Sequence, residues 1–119
     1  MAETKADVML IERRGSVYVI EFTVTAMVDQ VQIAQVGADL EQLAANAGHP
    51  KLVINMSNLN NVSSAFLGVL ISRHKRVKSM SGEVRLASVP ANVLNVFKLT
   101  HLDKLLKMYD NTTIALHRF

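Results

Sequence analysis

Two adjacent serines, Ser63 and Ser64, stand between a polar loop and a run of apolar residues at helical spacing. The hydroxyl of Ser63 suits a helix N-cap, because it can accept a hydrogen bond from a free amide of the first turn. Ser64 then falls in that first turn, at the positive end of the helix dipole, where a phosphate on its hydroxyl would be tolerated. On spacing alone, an ordinary cap and an ordinary first-turn residue remain the commoner interpretation of the pair.

The sequence offers little support for other kinds of chemistry. No pattern of the Gly-x-Ser-x-Gly type surrounds either serine, and no Gly-x-x-x-x-Gly-Lys loop for a nucleotide is present. The chain has no cysteine, and its histidines are scattered without the spacing of metal ligands: His49, His74, His101 and His117. We therefore expect no catalytic residue, no metal and no cofactor.

A strand and a helix are needed to position the serines. Residues 52–54 are consecutive apolar residues, two of them β-branched, which is typical of a strand buried on both faces. The asparagines that follow, Asn58, Asn60 and Asn61, interrupt the apolar pattern and predict a loop. This loop ends where Ser63 begins the helix.

The segments before that strand predict a hairpin and a helix. Residues 8–11 and 17–22 read as two antiparallel strands, and the polar segment 1–7 is expected to be frayed. Asp29 caps a helix that Gly48 ends. A strand, a helix and a second strand in this order predict a right-handed crossover between parallel strands.

The segments after the Ser63 helix continue the alternation. The helix is predicted to end near Gly82, which we assign to the left-handed position that follows a helix. The remaining predicted elements are a strand at 83–89, a helix that begins at Pro90, a short edge strand at 105–109 and a last helical turn capped by residues 110–113. The fold class is therefore α/β, with a four- to five-stranded, mostly parallel mixed sheet, an N-terminal antiparallel strand pair and about four helices.

Composition bounds the kind of protein. With 119 residues we expect one domain, residues 1–119, with its core at about 8–116. No apolar run approaches the roughly 20 residues that span a bilayer, and we expect neither membrane insertion nor a leader at Met1. The absence of cysteine fits a reducing compartment, so we expect the cytoplasm.

The basic residues raise the question of a nucleic-acid partner. The net charge is +3, and the densest basic run is Arg73, Lys75, Arg76 and Lys78, late in the Ser63 helix. Cations suit the negative end of a helix dipole, and no aromatic residues interleave with them to stack on bases. A solvated helix face is favoured over a nucleic-acid patch, and we expect no nucleic-acid partner.

Small residues form a stripe along the same helix. Ser64, Gly68 and Ser72 project together, four residues apart and away from the apolar face. Small exposed residues would let another protein approach closely, and Ala65 is assigned to the same partner-binding surface. For Gly68, close packing against a neighbouring helix is an equally good interpretation.

The motif around the serines resembles that of a known family. Residues 63–70, Ser-Ser-Ala-Phe-Leu-Gly-Val-Leu, resemble the Asp-Ser-Ser-Gly-Leu-Gly-x-Leu signature of STAS domains, the family of bacterial anti-sigma factor antagonists. Ser63 and Phe66 stand where the signature has Asp and Gly, and Asn55 stands where an Asp is common. Further similarity covers residues 8–116 and lies in five places: residues 52–57, residues 81–86, residues 99–106 and the pairs Tyr109-Asp110 and Ala115-Leu116.

The resemblance implies a regulatory role. Ser64 falls at the family's phosphorylated serine, and four residues belong to the phosphorylation-site loop: Asn55, Ser57, Asn61 and Ser63. The implied partner is a GHKL-type serine kinase that doubles as an anti-sigma factor and binds the unphosphorylated, non-enzymatic protein. An alternative is a STAS subunit with a constitutive interface in a lipid-transport ABC complex or a stressosome-like scaffold. The oligomeric state stays open.

Overall fold

A β-hairpin begins the fold of the computed structural model, which describes residues 8–117 and residue 119. Strands β1 (Met9–Arg14) and β2 (Val17–Phe22) are antiparallel, and Gly15 turns the chain between them with φ of 63°. This positive φ suits glycine, which has no Cβ to clash. The predicted hairpin is confirmed, and the predicted frayed segment 1–7 lies outside the described residues.

The remaining helices and strands follow the hairpin along the chain. In order they are β3 (Ala26–Met27), α1 (Gln30–Ala45), β4 (Lys51–Asn55), β5 (Asn61–Val62), α2 (Ser64–Ser79), β6 (Glu83–Ala87), α3 (Ala91–Leu99), a 3-10 turn (Leu102–Lys104), β7 (Lys107–Tyr109) and α4 (Thr112–Leu116). The main sheet has the order β1-β2-β4-β6-β7, in which every pair except β1 with β2 is parallel. The fold class predicted from the sequence is confirmed.

The central strand β4 is buried on both faces, as its sequence predicts. Leu52, Val53 and Ile54 are each exposed by 2% or less. Leu52 and Ile54 belong to the large core beneath helices α1, α2 and α3, whereas Val53 packs in a smaller cluster with Ala115 of α4. Three helices therefore cover one face of the sheet and the short α4 covers the other.

A buried arginine attaches α4 to the sheet. Arg85 of β6 is 8% exposed, and one nitrogen of its guanidinium donates to the carbonyl oxygens of Ala115 and His117, each at 3.0 Å. Its Nε donates to a carboxylate oxygen of Glu83 at 2.8 Å. The carboxylate of Glu83 neutralises the buried charge, and the other two bonds satisfy carbonyl groups at the end of α4.

The prediction that Gly82 occupies the left-handed position after α2 is wrong. The residue in the left-handed region after α2 is Ser81, with φ of 61°, and not Gly82. Glycine stands at 82 for a different reason, because a Cβ there would lie 2.0 Å from the carbonyl oxygen of Pro50. Gly82 is thus required where β6 begins close to the start of β4.

Several predicted boundaries move by a few residues. Helix α1 ends at Ala45, before Gly48, and α3 begins at Ala91 with Pro90 as its N-cap residue. Strand β6 ends at Ala87, because Ser88 has a φ of 55° and leaves the extended region. None of the described helices is long and apolar enough to cross a membrane.

Candidate functional site

The loop after β4 carries Ser63 into the N-cap position of α2. The Ser63 backbone is extended, with φ of −94° and ψ of 164°, and its hydroxyl oxygen accepts a hydrogen bond from the Phe66 amide at 3.2 Å. The Ser63 carbonyl oxygen accepts from the Leu67 amide, also at 3.2 Å. The predicted cap is confirmed, and the hydroxyl of Ser63 is occupied in holding the helix terminus.

Ser64 is the first residue of the 16-residue helix α2, and its side chain is exposed. Within residues 8–117 its hydroxyl has no hydrogen-bond partner. No acidic residue lies in the first turn of α2, so no side-chain carboxylate offsets the positive end of the helix dipole there. The Ser64 hydroxyl therefore faces solvent at the positive end of the helix dipole, where a negative charge would be stabilised.

Phe66 anchors the first turn of α2 in the core. Its ring is fully buried and meets the ring of Phe22 edge to face, with 5.5 Å between the centroids and 81° between the planes. Such a pair contributes about 0.5–1.5 kcal/mol beyond the burial of area. The bulk that Phe66 adds to the motif therefore faces inward and leaves the surface around Ser64 free.

Asparagine side chains shape the loop between β4 and β5. The side-chain oxygen of Asn55 accepts from the Ser57 amide at 3.0 Å, which forms an Asx turn at the end of β4. The side-chain amide of Asn58 donates to the carbonyl oxygen of Phe22 at 2.6 Å, at the end of β2. Since the parallel strands β2 and β4 end at the same edge of the sheet, these bonds fix the loop over that edge.

The second half of the loop is attached to the segment before α1. The amide of Asn60 donates to the Thr25 carbonyl oxygen at 2.6 Å, Asn61 pairs with Ala26 in the two-stranded sheet of β3 and β5, and the Ser63 amide donates to the Met27 carbonyl oxygen at 3.1 Å. The sequence did not predict this small sheet, because each of its strands has two residues. These contacts hold the chain in place where Ser63 caps α2.

Asn92 is a site residue that sequence reasoning missed. It lies in the first turn of α3, and its side-chain amide donates to the side-chain oxygen of Asn60 at 2.9 Å and to the Asn60 backbone carbonyl oxygen. Its only sequence signal is a polar residue two positions after Pro90, which is common in the first turn of any helix. The bond joins the loop before Ser64 to α3.

The residues predicted to meet a partner share one exposed surface. Ser64, Ala65, Gly68 and Ser72 are all exposed along α2. A Cβ added at Gly68 would meet no atom within 4 Å, so the structure disagrees with helix packing as the reason for glycine there. We call this surface of α2 the small-residue stripe.

An open groove of about 600 Å³ runs beside the small-residue stripe. It lies between α2 and the corner that joins α3 to the 3-10 turn, and its lining residues are Ser64, Leu67, Gly68, Ile71, Ser72, Lys75, Thr100 and Leu102. Nothing in the sequence alone placed Thr100 or Leu102 near Ser64, because only the folded corner brings them to α2. Leu99, next to Thr100 in the chain, is 81% exposed.

The basic run late in α2 is divided between two roles. Arg73 donates to the carbonyl oxygen of Gly37 at 2.8 Å, and Arg76 pairs with the carboxylate of Glu41 at 3.1 Å. These two arginines therefore fasten α2 to α1. Lys75 and Lys78 are exposed, and neither forms an ion pair with a described residue.

Two titratable groups near the far end of α2 are perturbed. Burial, and secondly the charge of Lys78, lower the pKa of His74, whose Nδ1 is buried without a hydrogen-bond partner in the described part of the chain. The hydrogen bond from Arg85 lowers the pKa of Glu83, and Lys107 at 3.4 Å adds to the effect. Within the described residues, no group of histidines and carboxylates is placed to hold a metal ion.

A family model described as the STAS domain matches residues 9–115. The chain belongs to the STAS domain family. A relative from Thermotoga neapolitana, whose name assigns it provisionally to the anti-sigma factor antagonists, is 34% identical over 71 residues, which are 60% of this chain. The chain spans 63% of that relative's length.

Solved structures share the STAS fold over most of the chain. An anti-sigma factor antagonist domain from Planctomyces limnophilus has a TM-score of 0.80 and 22% identity, covering 91% of this chain and 93% of its own. The anti-sigma factor antagonist SpoIIAA in its unphosphorylated form has a TM-score of 0.78 and 17% identity, covering 92% and 94%. At these identities the likeness establishes the fold.

Proposed function

We propose that this STAS domain is an anti-sigma factor antagonist in a partner switch that phosphorylation of Ser64 controls. The observation that carries the proposal is that the hydroxyl groups of the two serines have different surroundings. The hydroxyl of Ser63 is engaged in the helix cap, whereas that of Ser64 is exposed and without a partner among the described residues. SpoIIAA, which shares the fold, is described in an unphosphorylated and a phosphorylated form, and this supports regulation by phosphorylation.

The departures from the family signature are compatible with this role. Ser63 stands where the signature has Asp, and serine and aspartate are both preferred N-cap residues. Phe66 stands where the signature has Gly, and its ring is buried against Phe22. The surface that a kinase would approach is consequently the small-residue stripe, which includes Ser64.

In the proposed mechanism the unphosphorylated domain binds a GHKL-type serine kinase that is also an anti-sigma factor. Binding occupies the anti-sigma factor, and the sigma factor is released. A phosphate on Ser64 adds about −1.5 to −2 charges to the small-residue stripe. The partner would then have to bury that charge at a close interface, so the complex dissociates while the domain stays folded.

The domain itself acts through binding and catalyses no reaction in this proposal, and it works in the cytoplasm. The competing function is that of a STAS subunit in a larger assembly, where the same stripe is a permanent interface. Both functions use the same surface. They differ in whether phosphate on Ser64 regulates it.

The test is phosphorylation by each purified GHKL-type kinase of the source genome, with ATP and peptide mass spectrometry. We expect phosphate on Ser64 and none on the Ser64→Ala variant, whereas Ser63→Ala is still phosphorylated at Ser64. Ser63→Ala removes the cap and costs about 0.5–2 kcal/mol of stability, so it controls for helix fraying. Phosphate on Ser63, or none with a kinase that binds, would contradict the proposal. A complex with an ATPase that phosphatase leaves intact would support the constitutive assembly.

A further inference from the structure

The described residues that line the groove beside the small-residue stripe combine apolar side chains with a single charged one. Leu67, Ile71 and Leu102 supply apolar surface, and the small residues of α2 leave the groove open to solvent along one side. Among the described lining residues, Lys75 is the single charged group and none is acidic. An occupant would therefore meet an apolar floor with one cation.

Lys75 differs from its basic neighbours on α2. Arg73 and Arg76 are engaged with Gly37 and Glu41 of α1, so their charges stabilise the contact between the two helices. Lys75 lines the groove and has no carboxylate partner among residues 8–117. Its ammonium group is available to an acidic group of a partner.

From this arrangement we propose that the groove binds an amphipathic helix of the protein partner, with its apolar face on Leu67, Ile71 and Leu102 and a carboxylate paired with Lys75. Ser64 and Lys75 are eleven residues apart on α2, which corresponds to about 16 Å. About three turns of a partner helix span this length. A helix bound in a groove presents apolar anchors at spacings of three and four residues, which suits a floor made of separate apolar side chains.

The inference rests on the proposed function, because it assigns the groove to the partner that Ser64 regulates. It adds the chemistry of that partner, namely an apolar helix face with one acidic residue. The two proposals can fail separately. A kinase can phosphorylate Ser64 without using the groove, and a helix can bind the groove without any kinase.

The experiment uses two lactam-stabilised twelve-residue peptides that differ at one position. Both carry apolar residues at i, i+3, i+4 and i+7; one has Glu in its first turn and the other has Lys at that position. Each is titrated into the full ¹⁵N-labelled chain, and amide chemical shifts report the site and the affinity. Parallel titrations use Lys75→Glu and, as a matched control on the same helix outside the groove lining, Lys78→Glu.

We expect the Glu peptide to shift the amides of Gly68, Ile71 and Leu102 and to bind about fivefold more tightly than the Lys peptide, since an exposed ion pair contributes modestly. Lys75→Glu should reverse the preference, and Lys78→Glu should leave it unchanged. Equal affinities of the two peptides would overturn the role of Lys75. Shifts confined to other surfaces, or no shifts up to the solubility limit, would overturn the groove. Concentration-dependent dimerisation that shifts the same amides would identify a second copy as the occupant and also overturn the proposal.

Discussion

The side chain of Asn92 donates to the side-chain oxygen of Asn60 at 2.9 Å and so joins the first turn of α3 to the loop that precedes Ser64. The same residue, Asn60, donates its amide to Thr25 at 2.6 Å. One loop residue therefore contacts two separate segments of the fold. The geometry of the site depends on contacts far apart in the sequence.

Replacing Asn92 by Ala should loosen the loop without unfolding the domain. A hydrogen bond of this kind contributes about 0.5–1.5 kcal/mol, so the thermal midpoint should fall by a few degrees. Amide hydrogen exchange at Asn60 and Asn61 should accelerate. Asn95→Ala is the matched control, because Asn95 is an exposed asparagine of the same helix with no hydrogen bond of its side chain to a described residue. Equal exchange in the two variants would mean that Asn92 does not hold the loop.

Gly68→Arg should block the partner and leave the domain stable. A Cβ at Gly68 meets no atom within 4 Å, and glycine within a helix costs roughly 0.5–1 kcal/mol relative to Ala. Arginine is a good helix former, so the thermal midpoint should stay unchanged or rise while partner binding is lost. The midpoint is measured by calorimetry and the binding by titration with the kinase.

Gly82→Ala should destabilise the domain, in contrast to Gly68→Arg. Its Cβ would lie 2.0 Å from the carbonyl oxygen of Pro50, which is backbone and cannot turn aside like a flexible side chain. This variant should be clearly destabilised although only a methyl group is added. If Gly68→Arg unfolds the domain as well, Gly68 has a structural role and the stripe is not a free surface.

The sequence predicted those features that local patterns determine. Residues 52–54 predicted a strand buried on both faces, and β4 has it; Ser63 predicted a cap, and its hydroxyl accepts from Phe66. Gly82 was assigned from helix-ending statistics, whereas a clash with Pro50, 32 residues away, explains the glycine. Local sequence patterns contain no information about close contacts between segments that are distant in the sequence.

In the candidate site, too, some features follow from local sequence patterns and others depend on the packing of distant segments. The exposure of Ser64 and Gly68 follows from helical periodicity, which a sequence shows. The groove requires Thr100 and Leu102 from a corner formed by α3 and the 3-10 turn, and the loop requires Asn92 from α3. Both depend on how α3 packs, and no spacing in the sequence encodes that packing.

The stability of the domain should fall as the pH drops below 6.5, because of His74. Burial lowers its pKa in the folded protein from 6.5, so the unfolded chain binds a proton first and protonation favours unfolding. The stability that the uncharged His74 contributes is fully present above pH 6.5 and is lost as the pH falls toward the lowered pKa. The pKa of Glu83 is lowered from 4.5, so the contribution of that group is lost only at more acidic pH.

Urea denaturation at pH values on both sides of 6.5 measures this dependence. His74→Gln should flatten the pH dependence between 6.5 and 4.5, where Glu83 has not begun to lose its contribution. His101→Gln, at an exposed position, is the control. The charged groups that act on His74 are Lys78 and Glu83, so neither is changed in this experiment. A slope that persists in His74→Gln would assign the effect to another group.

The proposed phosphorylation switch predicts different effects of Ser64→Asp and Ser64→Ala on partner binding. A carboxylate near a helix N-terminus gains about 0.3–1 kcal/mol from the dipole, and no acid already occupies the first turn of α2, so both variants should remain folded. An unpaired charge forced into a close interface costs several kcal/mol. At about 1.4 kcal/mol per factor of ten, Ser64→Asp should weaken kinase binding by about two orders of magnitude or more. Ser64→Ala should bind like the wild type.

Calorimetry against the purified kinase compares both variants with genuinely phosphorylated protein. Asn95→Asp places the same charge at an exposed position of α3 as a control. If only Ser64→Asp and the phosphoprotein lose affinity, the position of the charge and not its presence on the domain is responsible. Equal affinities for the wild type, both Ser64 variants and the phosphoprotein would contradict the switch. The small-residue stripe would then be a constitutive interface, because a surface that accepts a buried phosphate without cost cannot be regulated by it.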